Sequence, residues 1–380
     1  MHVGLNAQLI SLAGSYRNAG VSQYIYQVLT HLQAAGPVER ITAFVGPAAQ
    51  PARLPLRAGV AVHATRLPTE RPAVRILWEQ ALQPPLLVAK GIDLLHSPVN
   101  VLPLLLPTPA VLTIHDLSFL RFPATFSPAK RRYQAAMTSF SARRARLVLT
   151  DSEHTRRDVV RLLGVPSDRV RTVYPGVTEL YRPSTPAAIE AFRSRHGLTE
   201  RFFVHVGTLQ PRKNLERLIS AFSRFKRASG LPHALLLVGG KGWLYEGLQQ
   251  HARREAVEGS VHFVGFAAPE DVPLWYAAAE AMVFPSLYEG FGFPIVEAMA
   301  CGTPVLSSTA SCLPEAAGQA AEMFDPIDID ALAQAMLRIA ADPQRRQELR
   351  QLGLVQAARF TWERTAQAVL SAYVDAGRTV

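Results

Sequence analysis

Cysteine is nearly absent. Cys301 and Cys312 are the only two in 380 residues, too few for a disulfide framework and without metal-ligand spacing. Reduced thiols in a cytosolic protein are the expectation. A membrane-spanning run is also missing. The most apolar region, residues 99–114, is short and interrupted by Pro103, Pro107 and Pro109. No signal peptide is expected, because MHVGLNAQLI reads as an immediate first strand. There is no low-complexity tract and no short internal repeat. Acidic residues are scarce: Lys and Arg total 40 against 30 Asp and Glu, a net charge of +10. Such a balance favours an anionic partner: nucleic acid, anionic lipid or a phosphorylated substrate. Helix-turn-helix, zinc and aromatic-platform signatures are all lacking, so no nucleic-acid partner is expected.

The chain nevertheless has the material for a core. Hydrophobic residues make up 48% and charged residues 18%, which excludes a disordered chain. Its length predicts two domains. In the first half HVGLNA, RITAFVG, IDLLHSP, AVLTIHDL and RLVLTDS read as strands, and VRTVYPGV ends it. GVSQYIYQVLTHLQAAG reads as a helix stopped by Gly36, and EHTRRDVVRLLG as one capped by Ser152. In the second half FFVHVGTL, HALLLVGG, VHFVGF, AMVF and TPVLSS are strands separated by helical patterns. This alternation predicts two α/β domains, each a doubly wound parallel sheet. The proline-bearing segment YRPSTPAAIE sets the boundary near Pro183, giving domains 1–183 and 184–360. A terminal helix over 361–380 is expected to pack back on the first.

Residues 288–308, YEGFGFPIVEAMACGTPVLSS, hold a glutamate at each end of a glycine- and aromatic-bearing run. Glu289 falls on a loop after a strand. Pro294 suits the start of a helix, Glu297 falls in its first turn or so, and Gly302 stops it. Gly292 permits backbone conformations closed to other residues. Free N–H groups at that helix start favour an anion, and ligands of open α/β sheets bind at the carboxyl ends of strands. A glutamate there can equally serve only the helix dipole.

Gly207 to Asn214, GTLQPRKN, follows another strand. The Arg212 fork and the Lys213 point charge match a diphosphate, or else form a solvated basic loop. Asn214 is placed to cap the next helix. The glycines closing HALLLVGGKG have neither P-loop nor dinucleotide spacing. In the first half, Gly20 stands just before a helix, as a phosphate-approaching glycine or a turn glycine. His115 and Asp116 fall just past a strand, where they hydrogen-bond a sugar, transfer a proton or serve structure alone.

Together these stretches resemble retaining glycosyltransferase family four, of the GT-B fold. YEGFGFPIVEAMACGTPV looks like its glutamate–seven residues–glutamate motif, and GTLQPRKN like its diphosphate loop. HDLSFLRFP resembles its mannosyltransferase-like members. The likeness runs over nearly the whole chain. One departure is Ala19-Gly20, where many members carry two glycines, so only Gly20 is carried over. The resemblance implies two Rossmann-like domains with an interdomain cleft, the first on the acceptor side and the second binding the nucleotide sugar. It implies that Glu289 meets the donor sugar, Glu297 the ribose, and Arg212 and Lys213 the diphosphate. Phe291 and Gly292 contribute loop N–H groups, Gly207 lies in the diphosphate loop, and His115 is near the sugar. The nucleobase falls at VGFAAPEDV. No cofactor and no metal are implied, because the cations take the metal's place.

The implied reaction is hexose transfer with retention, with mannose from GDP-mannose as the donor reading. UDP-glucose, UDP-N-acetylglucosamine and a nucleotide-sugar epimerase of the same fold are the alternatives. The acceptor is a saccharide or lipid-linked saccharide. Residues 117–150 contain no acid but seven bases, with Arg131, Arg132, Arg143 and Arg146 on one helical face and Tyr133, Met137 and Phe140 on another. That pattern fits an anionic membrane surface as well as a solvated basic face over a packed stripe. Family members acting on lipid-linked saccharides favour the former, which makes the protein cytoplasmic and peripheral at the inner membrane face. Phe119, Phe122 and Phe126 are then expected to form a lipid-facing edge.

Overall fold

The computed structural model describes residues 1–12, 20–240 and 245–378. The chain divides into two compact units, Met1–Gly176 with Thr361–Val380, and Val177–Phe360. Pro183 lies inside the second.

The first unit holds seven parallel strands: β1 (His2–Asn6), β2 (Arg40–Val45), β3 (Val60–Ala64), β4 (Leu94–Ser97), β5 (Ala110–Ile114), β6 (Leu147–Thr150) and β7 (Val170–Thr172). Their order is β3-β2-β1-β4-β5-β6-β7. Winding reverses between β1 and β4, which opens a crevice at their carboxyl ends. Ser152 caps the helix Glu153–Leu163 as expected, accepting from the Thr155 N–H at 3.1 Å. The first helix, Val21–His31, ends before the predicted stop. Buried, extended Leu32 takes the chain out of it, and Gly36 lies in the turn beyond. The terminal helix Trp362–Arg378 packs here: the Tyr373 hydroxyl meets His96 Nδ1 at 2.7 Å, and the Trp362 ring lies 5.8 Å from Tyr24.

The second unit holds β8 (Phe202–Val206), β9 (Ala234–Val238), β10 (Val261–Gly265), β11 (Ala281–Phe284), β12 (Val305–Ser308) and β13 (Ala321–Phe324). All are parallel, in the order β10-β9-β8-β11-β12-β13. Period-two alternation splits the strand side chains between two cores. Phe202, Val204, Leu236, Met282 and Phe284 enter one, while Phe203, Leu235, Leu237 and Val283 enter the other. A sheet covered on both faces is what near-continuous apolar strands require. The helix Leu215–Ser229 covers one face with Leu218, Ile219, Phe222 and Phe225. Here the winding reverses between β8 and β11.

Candidate functional site

The loops after β8 and β11 meet at that reversal. Pro211–Lys213 forms one tight turn. Asn214 follows in the left-handed region, φ 62°, which Asn tolerates better than most residues. Its side chain does not cap the helix, contrary to the sequence expectation. Instead it donates to the Pro285 carbonyl at 3.1 Å and the Pro326 carbonyl at 2.7 Å, tying three loops together. The Leu287 N–H donates to the Arg212 carbonyl at 2.8 Å, so the β8 and β11 loops are joined directly. At the neighbouring strand end Gly239 is forced by close approach, since a Cβ there would stand 2.0 Å from the Gly207 carbonyl oxygen. Lys241 and Gly242 of the same run lie outside the described residues.

These loops bring three predicted residues into contact. Lys213 Nζ donates to Glu289 Oε1 at 2.6 Å, and Arg212 donates to Glu289 Oε2. Arg212 also donates to the Tyr288 carbonyl at 2.9 Å. The Lys213 ammonium stands over the Phe284 ring at 4.7 Å. Glu289 is buried. Burial alone pushes its carboxyl up, but Lys213 and Arg212 outweigh that and hold it at about 2. Ser311 fixes the loop, donating to the Glu289 carbonyl at 2.7 Å. His205, buried beneath and stacked on Phe284, is held down at about 4 by burial and by Lys213. Sequence reading missed Ser311 and His205. His205 could have been found, because it lies in β8 just before the cationic loop.

Gly292, φ 105°, begins the helix Phe293–Ala300, and no side chain caps that start. A Cβ on Gly292 would stand 3.0 Å from Leu313. The Phe291 ring is buried against Phe293 and Phe360 and belongs to the core. Glu297 lies in the second turn rather than the first. Its Oε2 accepts from the Tyr276 hydroxyl at 3.1 Å, and the Tyr181 hydroxyl also bonds the carboxylate. Burial raises Glu297 to about 7, against the pull of the two hydroxyls and Lys213. Both thiols are free and buried, and burial raises Cys301 to about 12.

In the first unit, His115 follows β5 and meets a residue the sequence reading missed. Its Nδ1 lies 2.7 Å from Asp151 Oδ2, and its Nε2 lies 3.0 Å from the Pro98 carbonyl. Asp151 follows β6, and the β5–β6 register pairs Ile114 with Thr150. The next residue of each strand is therefore side by side, a relation legible once the strand order is known. Burial lowers the His115 pKa, but Asp151 and the carbonyl raise it more. Both ring nitrogens are thus positioned from within the unit. Asp116 accepts from the Ser118 N–H at 2.9 Å, forming a turn. Gly20, φ 58°, opens the helix Val21–His31 from an exposed position. Ala19 and most of the preceding loop lie outside the described residues.

Two expectations about the basic segment are corrected. The helix spans Pro128–Arg144, so Arg146 lies beyond it and donates to the Ala376 carbonyl at 2.8 Å. Its inward residues are Thr138, Ser141 and Ala142, while Phe140 is exposed. Phe119 is buried and cannot form a lipid-facing edge. Exposed apolar groups gather instead at Val88, Leu104 and Leu105, in a shallow depression with Arg144. The sequence contains one Asp-x-Asp triplet, Asp328-Ile329-Asp330, a spacing that can hold a metal. Asp328 caps the helix Ile329–Ala341 and Asp330 pairs with Arg224. Among the described residues no cluster of three His, Cys, Asp or Glu side chains could hold a metal.

Comparison with known proteins bears on both units. Residues 18–179 match the model of Glycosyltransferase Family 4, and residues 188–354 that of Glycosyl transferases group 1. The O-antigen chain mannosyltransferase B of Escherichia coli is 35% identical over 279 residues, 73% of each chain. The serotype-specific mannosyltransferase WbdA of the same organism is 30% identical over 62% of this chain. This chain covers only 31% of that longer relative. Among solved structures, sucrose-phosphate synthase of Thermosynechococcus elongatus superimposes with a TM-score of 0.75 at 23% identity, covering 98% of both chains. Anabaena HepE, in complex with UDP and glucose, gives 0.75 at 20% identity over 99% of this chain and all of that one. These structural likenesses define the fold as GT-B.

Proposed function

This chain belongs to glycosyltransferase family 4, and from that premise we propose that it transfers mannose from GDP-mannose, with retention, to a saccharide or lipid-linked saccharide. The observation that carries the site assignment is the buried Glu289 bonded to both Arg212 and Lys213 at the β8/β11 reversal. Two fixed cations at strand ends are a diphosphate site whose counter-ion, without ligand, is the protein's own carboxylate. A donor diphosphate displaces Glu289 from them and leaves it beside the sugar. The cations then stabilise the charge that grows on the leaving diphosphate, the work otherwise given to a metal. Glu297 takes the ribose hydroxyls, and the loop after β10, where Phe266 is exposed, takes the base. His115, Asp116 and Gly20 are assigned to the donor-sugar and acceptor side.

The mannose reading rests on the mannosyltransferases among the relatives. A UDP-hexose donor is the second reading, favoured by the UDP and glucose held by HepE. None of the relatives named above is an epimerase. The deciding experiment incubates the enzyme with GDP-mannose, UDP-glucose and UDP-N-acetylglucosamine and measures release of each nucleoside diphosphate. Release from GDP-mannose at least tenfold above the others is expected. Faster release from a UDP sugar would replace the donor assignment.

No helix among the described residues is long and apolar enough to cross a membrane. A cytoplasmic enzyme resting on an anionic leaflet fits the exposed Val88, Leu104 and Leu105 beside Arg144. Each base near such a surface contributes roughly 1 kcal/mol. Replacing Leu104 and Leu105 by Ser should release the protein from anionic vesicles in a sedimentation assay. Unchanged sedimentation would remove this surface from consideration.

A further inference from the structure

The second sheet has another end. Where β11 and β12 begin, away from the cationic loop after β8, lies a cavity of about 360 Å³. Arg193, Arg201, Thr303, Arg346, Gln347 and Arg350 line it. They come from the helix Pro186–Arg195, the segment before β8, the turn before β12 and the helix Pro343–Ala357. Distant parts of the sequence therefore bring four guanidinium groups to one place.

One carboxylate faces them. Glu280 lies 3.6 Å from Arg201 and 3.5 Å from Arg346. Four arginines less one glutamate leave a formal charge of +3 at the cavity. Carbonyl groups hold two of the arginines in place without neutralising them. Arg193 donates to the Ala278 carbonyl at 3.2 Å and the Glu200 carbonyl at 2.8 Å, and Arg346 to the Ala340 carbonyl at 3.1 Å. A guanidinium has five N–H donors, so donors remain on both. Arg350 has neither hydrogen bond nor ion pair among the described residues. It lies across Gly302, its guanidinium 3.3 Å from where a Cβ would stand. The Thr303 hydroxyl is buried at the same cavity with no hydrogen-bond partner among the described residues.

Four like charges sharing one counter-ion repel, and a buried hydroxyl without a partner is an unfavourable arrangement. One ligand would resolve both. Guanidinium forks match phosphate oxygens in geometry and charge, and a neutral hydroxyl and an amide can complete the shell. We propose that this cavity binds a dianionic phosphate group, as inorganic phosphate or as a small phosphate monoester such as a hexose phosphate. The site is separate from the Arg212–Lys213 loop and does not depend on which nucleotide sugar is the donor.

Titration calorimetry with inorganic phosphate and with a hexose 6-phosphate tests this, on wild type, Arg350→Ser, Thr303→Val and Arg212→Ala. Arg350 is exposed and unpartnered, so its loss leaves the fold intact. Arg350→Ser should weaken binding about tenfold or more and Thr303→Val about threefold. Arg212→Ala should leave it unchanged. Tighter binding of the hexose phosphate would identify a monoester as the occupant, and equal affinity would identify the free ion. Absence of heat with wild type at millimolar phosphate overturns the proposal. So does loss of binding in Arg212→Ala with Arg350→Ser unaffected, which would place the ion in the diphosphate loop.

Discussion

Glu289 and Glu297 stand at the two ends of one short run, and their surroundings drive them in opposite directions. Both are carboxyls desolvated by the same unit. Glu289 has two cations in contact and is held at about 2, while Glu297 is hydrogen-bonded by tyrosine hydroxyls, with no cation paired to it among the described residues, and rises to about 7. The difference shows that burial alone does not decide a carboxyl's charge: it wins at Glu297, and two contacting cations overturn it at Glu289. It also separates their proposed tasks. Glu289 is a permanent anion that can hold the cations until a diphosphate arrives. Glu297 is a carboxyl near its titration point, ready to accept from ribose hydroxyls when ionised.

The largest effects should come from breaking the Glu289 cluster. Lys213→Ala leaves a buried carboxylate with one cation. Removing one partner of a buried pair costs about 3 kcal/mol of stability, and losing a transition-state contact lowers turnover by ~10²-fold or more. Glu289→Gln sharpens the comparison, because it removes the internal competitor for the cations. Turnover should fall by a similar factor while the affinity for nucleoside diphosphate rises. Weaker diphosphate binding by Glu289→Gln would show that the carboxylate organises the loop rather than occupying the diphosphate's place.

How much of this was legible in the sequence follows from what sequence can carry. Central strands announced themselves because both faces are buried. The strands Val60–Ala64 and Ala321–Phe324 were missed, because as edge strands they bury fewer side chains and carry His63 or Glu322 in the run. Arg212, Lys213 and Glu289 could be named from loop positions, and their contact followed from adjacent strands. Asp151 and Tyr276 could not be named. Asp151 reaches His115 only through the β5–β6 neighbourhood, and Tyr276 reaches Glu297 from the separate helix Val272–Ala278. The Asn214 side chain failed as a cap because two loop carbonyls, set by tertiary structure, took its donors.

A smaller effect should separate the two glutamates by pH. Glu297 binds its proton more tightly folded than unfolded, since its usual value is 4.5 and its folded value about 7. Between those values the folded state holds more protons, so stability falls as pH rises through this window. Glu289 acts the other way: its contribution is full above pH 4.5 and is lost as pH falls towards 2. Glu297→Gln should therefore abolish part of the stability loss between pH 4.5 and 7, measured by urea unfolding at both. At pH 7 it should also weaken nucleoside diphosphate binding about tenfold. Identical pH slopes for variant and wild type would place the Glu297 carboxyl near its ordinary value and undo the contrast.

The smallest effect should come from Tyr276→Phe, and it tests the cause of the contrast rather than its existence. The Tyr276 hydroxyl donates to Glu297 Oε2, and its ring is fully buried in the core. Phe keeps that packing and removes one donor. A donor to a carboxylate favours the charged form, so its loss moves Glu297 further up. At pH 7 a larger fraction of the enzyme would then carry the protonated acid, which is a weaker acceptor for the ribose hydroxyls than the carboxylate. Nucleotide affinity should fall about threefold at pH 7, the scale of one hydrogen bond. Affinity should recover as pH rises to 8.5, because the ionised form returns. A structural defect in the core would lower affinity at both pH values alike. Calorimetry at the two pH values distinguishes these outcomes, and a loss that persists at pH 8.5 would assign Tyr276 to packing alone.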